Sequence, residues 1–313
     1  MFRGIIMTNN VDESLDSSNP LSKIITSYYH LNRGANNILM NNTTIIIMAG
    51  GLGKRMGTSA VPKVLHLVGG VPMIVRILRE ISTIEVSASH NIVRILIVVG
   101  KYRDIIEETI KKYTDITVEY VVQDPPLGTG HAIACCLPYI DRCTSDRCTS
   151  DRCTSDLTTS DLTTSGLIHT IVVLSGDVPL IRGETIKKMI VGNPALRVLT
   201  MMLDVPTGYG RIIETSSTIE KIVEEKDCTD LERLCRKVNC GIYAFSGVIA
   251  HQFIPLIQNN NAQAEYYLTD IVGLARNSNI VVETTAVDNN QEVLGINTLL
   301  ELERVNDCIT DMI

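Results

Sequence analysis

A chain of 313 residues with a formal net charge of −7 has room for one large hydrophobic core or two modest ones, and its acidic balance argues against a nucleic-acid partner. No apolar run approaches the roughly 18 residues of a membrane span, and the N-terminus lacks the apolar core of a secretion signal, so we expect a cytoplasmic protein. The nine cysteines include no CxxC pair, which argues against a zinc site and favours reduced thiols.

The first predicted segment, residues 1–41, is rich in Asn and Ser and lacks sustained periodicity, so we expect a flexible extension with at most one short helix, LSKIITSYYHL. From residue 42 to 313, strand-like and helix-like stretches alternate. The strand-like ones are TTIIIMAG, IVRILIVVG, TVEYVVQ, TIVVLSGD and RVLTMMLDV, and the helix-like ones include RDIIEETIKKY and ETIKKMIV. This alternation predicts a doubly wound, mostly parallel α/β sheet of Rossmann-like type, with ligands beyond the carboxyl ends of its strands.

A glycine-rich segment, MAGGLGKRMGTSAVPKVLH at residues 48–66, directly follows the first predicted strand. It is not a Walker A loop, which needs Ser or Thr where Arg55 stands, nor a Rossmann fingerprint, which needs glycine where Met56 stands. The alternative to a phosphate-binding loop is a structural glycine turn whose cations are simply exposed to solvent. Lys63 follows Pro62, whose fixed φ limits where the ammonium can point, so the spacing favours phosphate binding. Arg55 can bridge phosphate oxygens as a planar fork, while Lys63 supplies a point charge.

Residues 141–165 interrupt the alternation with five tandem five-residue copies, DRCTS three times and DLTTS twice. In the register SDLTT the copies are similar to the repeat unit of a pentapeptide β-helix. However, three of the five central positions are Arg, and the array is too short to bury a core. We expect a solvated, poorly ordered insertion without a catalytic role.

Further motifs follow the glycine-rich segment in a fixed order. They are QDPPLGTGHA, LSGDVPLI, PTGYGRII, IVEEKD, VNCGIYAF, AEYYLTD and GIN. Together they resemble the nucleoside-diphosphate-sugar pyrophosphorylases, or sugar-1-phosphate nucleotidyltransferases, along residues 43–306. The resemblance is greatest to members that join UTP and N-acetylglucosamine 1-phosphate into UDP-N-acetylglucosamine and pyrophosphate. It implies a nucleotidyltransferase domain at 42–313 and small-molecule substrates.

Three other functional hypotheses bear on this resemblance. A different sugar 1-phosphate or nucleotide, such as glucose 1-phosphate, stays open, as does a catalytically silent sugar-nucleotide-binding subunit. Bacterial relatives continue into a left-handed β-helix that acetylates glucosamine 1-phosphate. The sequence contains no hexapeptide repeat, so we expect no such β-helix and no acetyltransferase activity. The oligomeric state is not predicted.

The resemblance implies a Mg²⁺ ion held by Asp177 and Asn297, with Arg55, Lys63 and Asp177 as catalytic residues. Asp177 also follows the apolar run TIVVLS, where a ligand belongs in this fold, although an Asp-x-Pro turn is the plain alternative. Asn297 precedes TLLELERV, so a helix N-cap is the alternative there.

The resemblance assigns the nucleotide to two loops. These residues are Met48, Ala49, Gly50, Gly51, Gln123, Gly128 and Thr129. A Gln amide can pair with both a donor and an acceptor on uracil, whereas PPLGTG is also typical of a turn before a helix.

The resemblance assigns the sugar to a second group of residues. They are Gly210, Glu224, Asn239, Tyr267 and Thr269. Glu224 and Asn239 can hydrogen-bond hydroxyl and acetamido groups, while Tyr267 and Thr269 either wall the acetyl group or simply pack. Glu224 is preferred over its neighbour Glu225 on the family pattern. Cys240 stands where the family has Thr, which we expect to remove a hydroxyl close to the sugar.

Overall fold

The computed structural model describes residues 41–51, 53, 56, 61–84, 90–140 and 169–310. The expected N-terminal helix and the repeat at 141–165 lie outside these residues. The described part belongs to one compact unit, Leu39–Ile313. Among the described residues, no helix has both the length and the apolar character that a membrane crossing requires.

Eleven strands and eight helices follow one another along the described part of the chain. The strands are β1 Asn41–Met48, β2 Leu67–Val68, β3 Val71–Pro72, β4 His90–Val99, β5 Glu119–Val122, β6 His169–Ser175, β7 Leu196–Met202, β8 Arg211–Thr215, β9 Thr218–Val223, β10 Lys237–Ser246 and β11 Val282–Ala286. The helices are α1 Met73–Ser82, α2 Arg103–Tyr113, α3 Thr129–Ile140, α4 Gly183–Ile190, α5 Asp230–Arg233, α6 Gly247–Phe253, α7 Asp270–Asn277 and α8 Leu299–Thr310. Short 3₁₀ helices are Lys63–Leu65, Ile254–Leu256 and Asn290–Val293. Every strand and helix predicted for the described residues is confirmed.

The main sheet has the strand order β11-β7-β10-β6-β1-β4-β5. Strands β6, β1, β4 and β5 pair with one another in parallel, and β11 pairs in parallel with β7. Strand β10 is antiparallel to both β6 and β7, and the β8–β9 hairpin attaches to β10 where Arg211 pairs with Val238. The predicted Rossmann-like α/β fold is therefore confirmed, with one antiparallel strand inserted into the sheet.

The core is built from β-branched and aliphatic residues because the chain has no Trp and only three Phe. Ile45, Ile46 and Ile47 of β1 are each 0% exposed. Successive strand residues point to opposite faces, so burial of all three means that both faces of the central strand are covered. On one face, Ile45 and Ile47 share a cluster with Leu78 of α1 and Ile186 of α4.

The loops that follow the central parallel strands lie side by side at one edge of the sheet. The Gly176 N–H donates to the Met48 carbonyl (3.0 Å), which joins the ends of β6 and β1. The Gln123 N–H donates to the Val99 carbonyl (2.7 Å), which joins the ends of β5 and β4. The register thus brings the glycine-rich loop, Gln123 and the residues after β6 to the same edge, where the fold is expected to bind its ligand.

Candidate active site

Lys63, Asp177 and Asn297 meet at this edge, although more than a hundred residues separate each from the next. The Lys63 ammonium donates to Asp177 Oδ2 and to Asn297 Oδ1, the latter at 2.8 Å. The side chains of Lys63 and Asp177 are only 16% and 19% exposed, so the ion pair is shielded from most of the solvent. One cation therefore lies where a carboxylate oxygen and an amide oxygen converge.

Asp177 is held by the end of strand β6 and by a second loop. The Ser175 hydroxyl donates to Asp177 Oδ1 at 2.5 Å, which leaves Oδ2 for the cation. The Asp177 carbonyl accepts from the Ile296 N–H (2.9 Å), and this bond draws the segment before α8 against the loop after β6. Ser175 was not predicted as a site residue, although its place two positions before Asp177 was the available signal.

The alternative role for Asn297, a helix N-cap, is taken by its neighbour. The Thr298 hydroxyl accepts from the Glu301 N–H (3.2 Å), and Glu301 Oε2 accepts from the Thr298 N–H (2.9 Å). These reciprocal bonds form a capping box at the start of α8. Because Thr298 caps the helix, the side-chain oxygen of Asn297 is left to accept from Lys63.

The oxygen pair of Asp177 and Asn297 fits a small divalent cation by its chemistry. Mg²⁺ prefers hard oxygen ligands and keeps several waters and substrate phosphates in its shell, so one carboxylate and one amide oxygen are a sufficient protein contribution. Both oxygens already face a single positive charge. Among the described residues there is no group of three or more His, Cys, Asp or Glu suited to a metal, so an all-protein cage is not formed there.

The glycine-rich loop places Lys63 through a close contact. Gly53 has a φ of +61°, and a Cβ added to it would lie 3.2 Å from the Lys63 Cβ. Gly53 thus gives the loop both the backbone conformation and the space that Lys63 needs. Arg55, the second predicted cation, lies outside the described residues. Gly51 has open space around it.

Two predicted nucleotide residues lie at the start of this loop. Ala49 packs into the core cluster, and its N–H donates to the Val98 carbonyl (2.9 Å). Met48 is half-buried and ends β1. The side chain of Ala49 is therefore directed into the core, while Met48 stays partly accessible.

Gln123 lies at the same edge, with its side chain folded onto the start of α3. Its amide nitrogen donates to the Gly128 carbonyl (2.9 Å) and lies 3.2 Å from His131 Nδ1. Gly128 has a φ of +116°, and a Cβ there would lie 2.6 Å from the Tyr266 carbonyl oxygen. Only glycine fits this position, so the PPLGTG segment is a tight turn before a helix as well as a predicted nucleotide loop.

The predicted nucleotide and sugar segments contact each other directly. The Leu268 N–H donates to the Thr129 hydroxyl (2.9 Å), and the Gly130 N–H donates to the Tyr266 carbonyl (2.7 Å). Thr129 therefore joins the start of α3 to the AEYYLTD segment.

Glu224 is a half-buried carboxyl among the predicted sugar residues. Thr269 donates to Glu224 Oε1 (3.2 Å), and a Cβ at Gly210 would lie 3.5 Å from Glu224 Oε2. Burial raises the pKa of Glu224, and the nearby carboxylates of Asp227 and Asp270 raise this pKa further, while the Thr269 hydrogen bond lowers it. Such a desolvated acceptor favours a ligand that donates hydroxyl or amide hydrogens.

Asn239 and Tyr267 line the same region with their polar atoms already paired. The Asn239 amide donates to the Tyr243 hydroxyl (2.7 Å), its side-chain oxygen accepts from the Gly241 N–H (3.0 Å), and its own N–H donates to the Gly210 carbonyl (2.9 Å). The Tyr267 hydroxyl accepts from the Gln263 amide (2.8 Å).

Cys240 follows Asn239 on β10. Its side chain belongs to the hydrophobic core cluster, together with Val238 and Ile242. Its expected effect on the sugar stays a prediction.

Tyr209, which packs against the core cluster, was not predicted as a site residue. Burial raises the pKa of Tyr209, and the charge of Asp177 raises this pKa further, while a backbone hydrogen bond from Gly295 lowers it. Its phenol is thus near the loops that carry both Asp177 and Asn297, and it precedes Gly210 in the chain. The motif PTGYGRII contains it, but nothing in the spacing distinguished its side chain from a packing residue.

Comparisons with known proteins agree with this geometry. Residues 45–194 match the family described as MobA-like NTP transferase domain. The chain is 37% identical over 270 residues to a protein of Acanthamoeba polyphaga mimivirus that is provisionally named a UDP-N-acetylglucosamine pyrophosphorylase, covering 83% of this chain and 94% of that protein.

Bacterial relatives are longer. The chain is 34% identical to the bifunctional protein GlmU of Alcanivorax borkumensis, over 83% of this chain and 50% of that protein. It is 36% identical to GlmU of Nitrosospira multiformis, over 84% of this chain and 50% of that protein. The chain thus spans about half the length of these bifunctional relatives.

A solved structure from Bacillus anthracis, provisionally named a glucose-1-phosphate thymidylyltransferase, has a TM-score of 0.59 at 20% identity. The likeness covers 85% of this chain and 94% of that one. At this identity the likeness shows the fold alone.

Proposed function

Because the chain belongs to the UDP-N-acetylglucosamine pyrophosphorylase family of nucleotidyltransferases, we propose that it transfers a uridylyl group from UTP to N-acetylglucosamine 1-phosphate. The products are UDP-N-acetylglucosamine and pyrophosphate. The observation that carries this proposal is the meeting of Lys63, Asp177 and Asn297 at the carboxyl ends of the strands. Three polar residues so far apart in sequence have no need to converge in a merely packed sheet edge.

The reaction is an in-line displacement at the α-phosphorus of UTP. A phosphate oxygen of the sugar phosphate forms the new P–O bond, and the bond to the leaving pyrophosphate breaks. Such transfer needs positioning and neutralisation of charge rather than covalent work by the protein. Lys63 supplies a compact positive charge, and Arg55 is proposed as a planar guanidinium that bridges phosphate oxygens.

Mg²⁺ is the proposed cofactor, held by Asp177 and Asn297, and when bound it neutralises phosphate charge. The protein's own part is to keep these two oxygens in place. Ser175 fixes the Asp177 carboxylate, and the capping box at Thr298 leaves Asn297 available. Lys63 holds both oxygens together and shifts to the phosphates when substrate binds.

The substrates are assigned to the two contiguous segments of the site. Uracil lies against Gly50, Gln123, Gly128 and Thr129, with the backbone of Met48, Ala49 and Gly51 along the nucleotide. The sugar lies against Gly210, Glu224, Asn239, Tyr267 and Thr269. Direct contact between residues 128–130 and 266–268 supports this division, because the two substrates must meet for the transfer.

Residues 42–313 are proposed as one nucleotidyltransferase domain, with the repeat at 141–165 as an insertion and residues 1–41 as an extension. We place its action in the cytoplasm, since both substrates are charged metabolites that do not cross membranes unaided.

The test measures pyrophosphate release by the full chain with Mg²⁺, crossing UTP, dTTP, CTP and ATP with several sugar 1-phosphates. We expect the highest rate with UTP and N-acetylglucosamine 1-phosphate. The matched variant is Asp177→Asn, which keeps the shape of the side chain but loses its charge. We expect it to fold normally and to lose at least 100-fold in rate, which is about 2.7 kcal/mol in activation free energy. A different preferred pair would refute the assigned specificity. Binding of the substrates without turnover would indicate a silent sugar-nucleotide-binding protein.

A further inference from the structure

The orientation of the Gln123 amide is fixed by its surroundings. Gln123 is only 5% exposed, and its nitrogen lies 2.9 Å from the Gly128 carbonyl oxygen. A carbonyl oxygen only accepts hydrogen bonds, so the amide nitrogen, not the amide oxygen, must face Gly128. The same nitrogen lies 3.2 Å from His131 Nδ1. Both N–H groups of the amide are therefore engaged within the protein.

The tautomer of His131 follows from this contact. Because Gln123 Nε2 is a donor, His131 Nδ1 must accept, and in the neutral ring the proton lies on Nε2. Nε2 is 3.8 Å from the Cys135 sulfur, one turn further along α3. His131 is thus an acceptor towards Gln123 and a donor on its far side.

The oxygen of the Gln123 amide points the other way, towards the glycine-rich loop. A Cβ added to Gly50 would lie 3.1 Å from Gln123 Oε1. In the part of the chain that the structure describes, no donor bonds to this oxygen. Because Gly50 has no side chain, a planar base has room beside the oxygen.

We propose that His131 is a positioning residue for base selection: it holds the Gln123 amide so that the nucleotide meets only an acceptor. The inference rests on the proposed function and explains how that site tells UTP from CTP. Uracil presents an N3–H donor, which a lone amide oxygen attracts. Cytosine presents an unprotonated N3, whose lone pair the same oxygen repels. Thymine has the uracil pattern on this edge, so His131 does not exclude dTTP.

The proposed arrangement differs from the expectation that the Gln123 amide pairs with both a donor and an acceptor on the base. Without the acceptor at His131, one N–H of the amide loses its partner inside the protein. Only the bond to the Gly128 carbonyl then resists rotation of the amide, so orientations that offer an N–H to the ligand become more populated. Discrimination against cytosine falls because Gln123 can now donate to its N3.

The experiment compares His131→Leu with His131→Asn, two side chains of nearly equal size. Asn retains an acceptor oxygen near the position of Nδ1, whereas Leu has none. The readouts are kcat and KM for UTP, and the inhibition constant of CTP against UTP. We expect His131→Leu to lose about tenfold in the preference for UTP over CTP, mainly through KM and the inhibition constant, a change of about 1.4 kcal/mol. We expect His131→Asn to keep most of the preference, and the control Cys135→Ala to keep all of it.

Two outcomes would overturn the inference: equal preferences in His131→Leu and His131→Asn, or a loss in His131→Leu that appears in kcat alone. Thermal unfolding of each variant checks the fold, and His131→Phe, also without an acceptor, replaces Leu if Leu does not fold. Failure of the proposed function is distinct, because the unaltered protein would then show no preference for UTP.

Discussion

Replacing Lys63 by Met tests whether Asp177 and Asn297 share one cation position. Met keeps the length of the side chain but removes the ammonium, and with it the hydrogen bonds to both oxygens. A hydrogen bond to a charged group contributes about 1.5–3 kcal/mol, and a buried carboxylate that loses its partner retains its desolvation cost. Because the pair is mostly buried, we expect Lys63→Met to lose about 2–3 kcal/mol of unfolding free energy without metal. At roughly 2 °C per kcal/mol this lowers Tm by about 4–6 °C.

Divalent metal should reverse much of this loss. In the unaltered protein a metal ion competes with the ammonium for Asp177 and Asn297, whereas in Lys63→Met the two oxygens have no such competitor. A ligand present at 100 times its Kd stabilises the native state by about 2.7 kcal/mol. We therefore expect Mg²⁺ to raise the Tm of Lys63→Met by several degrees more than that of the unaltered protein. Turnover should fall by at least about 100-fold with metal present, since the charge towards the phosphates is lost.

The assay is thermal unfolding with and without Mg²⁺, in the absence of nucleotide. Lys187→Met is the matched control, because Lys187 is an exposed lysine on α4 whose loss should change neither Tm nor its metal dependence. If Lys63→Met is as stable as the control without metal, the ion pair does not stabilise the fold. If Mg²⁺ raises the Tm of Lys63→Met and the Tm of the unaltered protein equally, Asp177 and Asn297 do not form a shared cation position.

The other predictions concern stability and pH. Gly128→Ala places a Cβ 2.6 Å from a backbone oxygen at a φ of +116°. We therefore expect it to lose at least about 2 kcal/mol of unfolding free energy in urea and to raise the KM for UTP. The control Gly273→Ala, in open space on α7, should be neutral or slightly stabilising. Burial raises the pKa of Glu224, so the native state binds more protons than the unfolded chain between the ordinary and the raised pKa, and stability falls as pH rises through that window. Glu224→Gln should abolish this pH dependence and be at least as stable as the unaltered protein above the raised pKa. It should also raise the KM for the sugar phosphate. An unchanged pH dependence of the unfolding midpoint would contradict the role given to Glu224. Glu225→Gln should behave oppositely, losing about 2–4 kcal/mol with little change in KM, because Glu225 pairs with Arg211, which is only 2% exposed.

The fold was predictable because its signals are local. The strand TTIIIMAG is apolar throughout, and such a run is typical of a strand covered on both faces, as β1 is. Asp177 and Lys63 were predictable as candidate site residues for a related reason, because each follows a local sequence signal. Asp177 follows the end of a strand, and Lys63 follows a proline. The family resemblance then added Asn297, which local signals alone assigned to a helix cap.

What the sequence did not predict depends on distances between segments. Thr298 and Asn297 are both good N-cap residues, and only the observed hydrogen bonds show that Thr298 caps α8. In the same way, Cys240 follows Asn239 in the motif, yet the alternation of β10 sends its side chain into the core. The surroundings of Tyr209 and His131 form only in the folded chain, whereas Ser175 carried one local signal, its place two positions before Asp177.

Among the described residues, the Lys63 ammonium is paired with the Asp177 carboxylate, and this pairing bears on the proposed catalysis. Lys63 and Ser175 together hold the Asp177 carboxylate, which orients the loop after β6. Groups that are oriented in advance need no reorganisation as charge develops on the phosphates, which is where electrostatic catalysis gains most of its effect. The same reasoning applies to Gln123, whose amide is oriented by Gly128 and His131. In the proposed function, chemistry and base selection therefore both use a polar group whose orientation is set by a neighbouring residue.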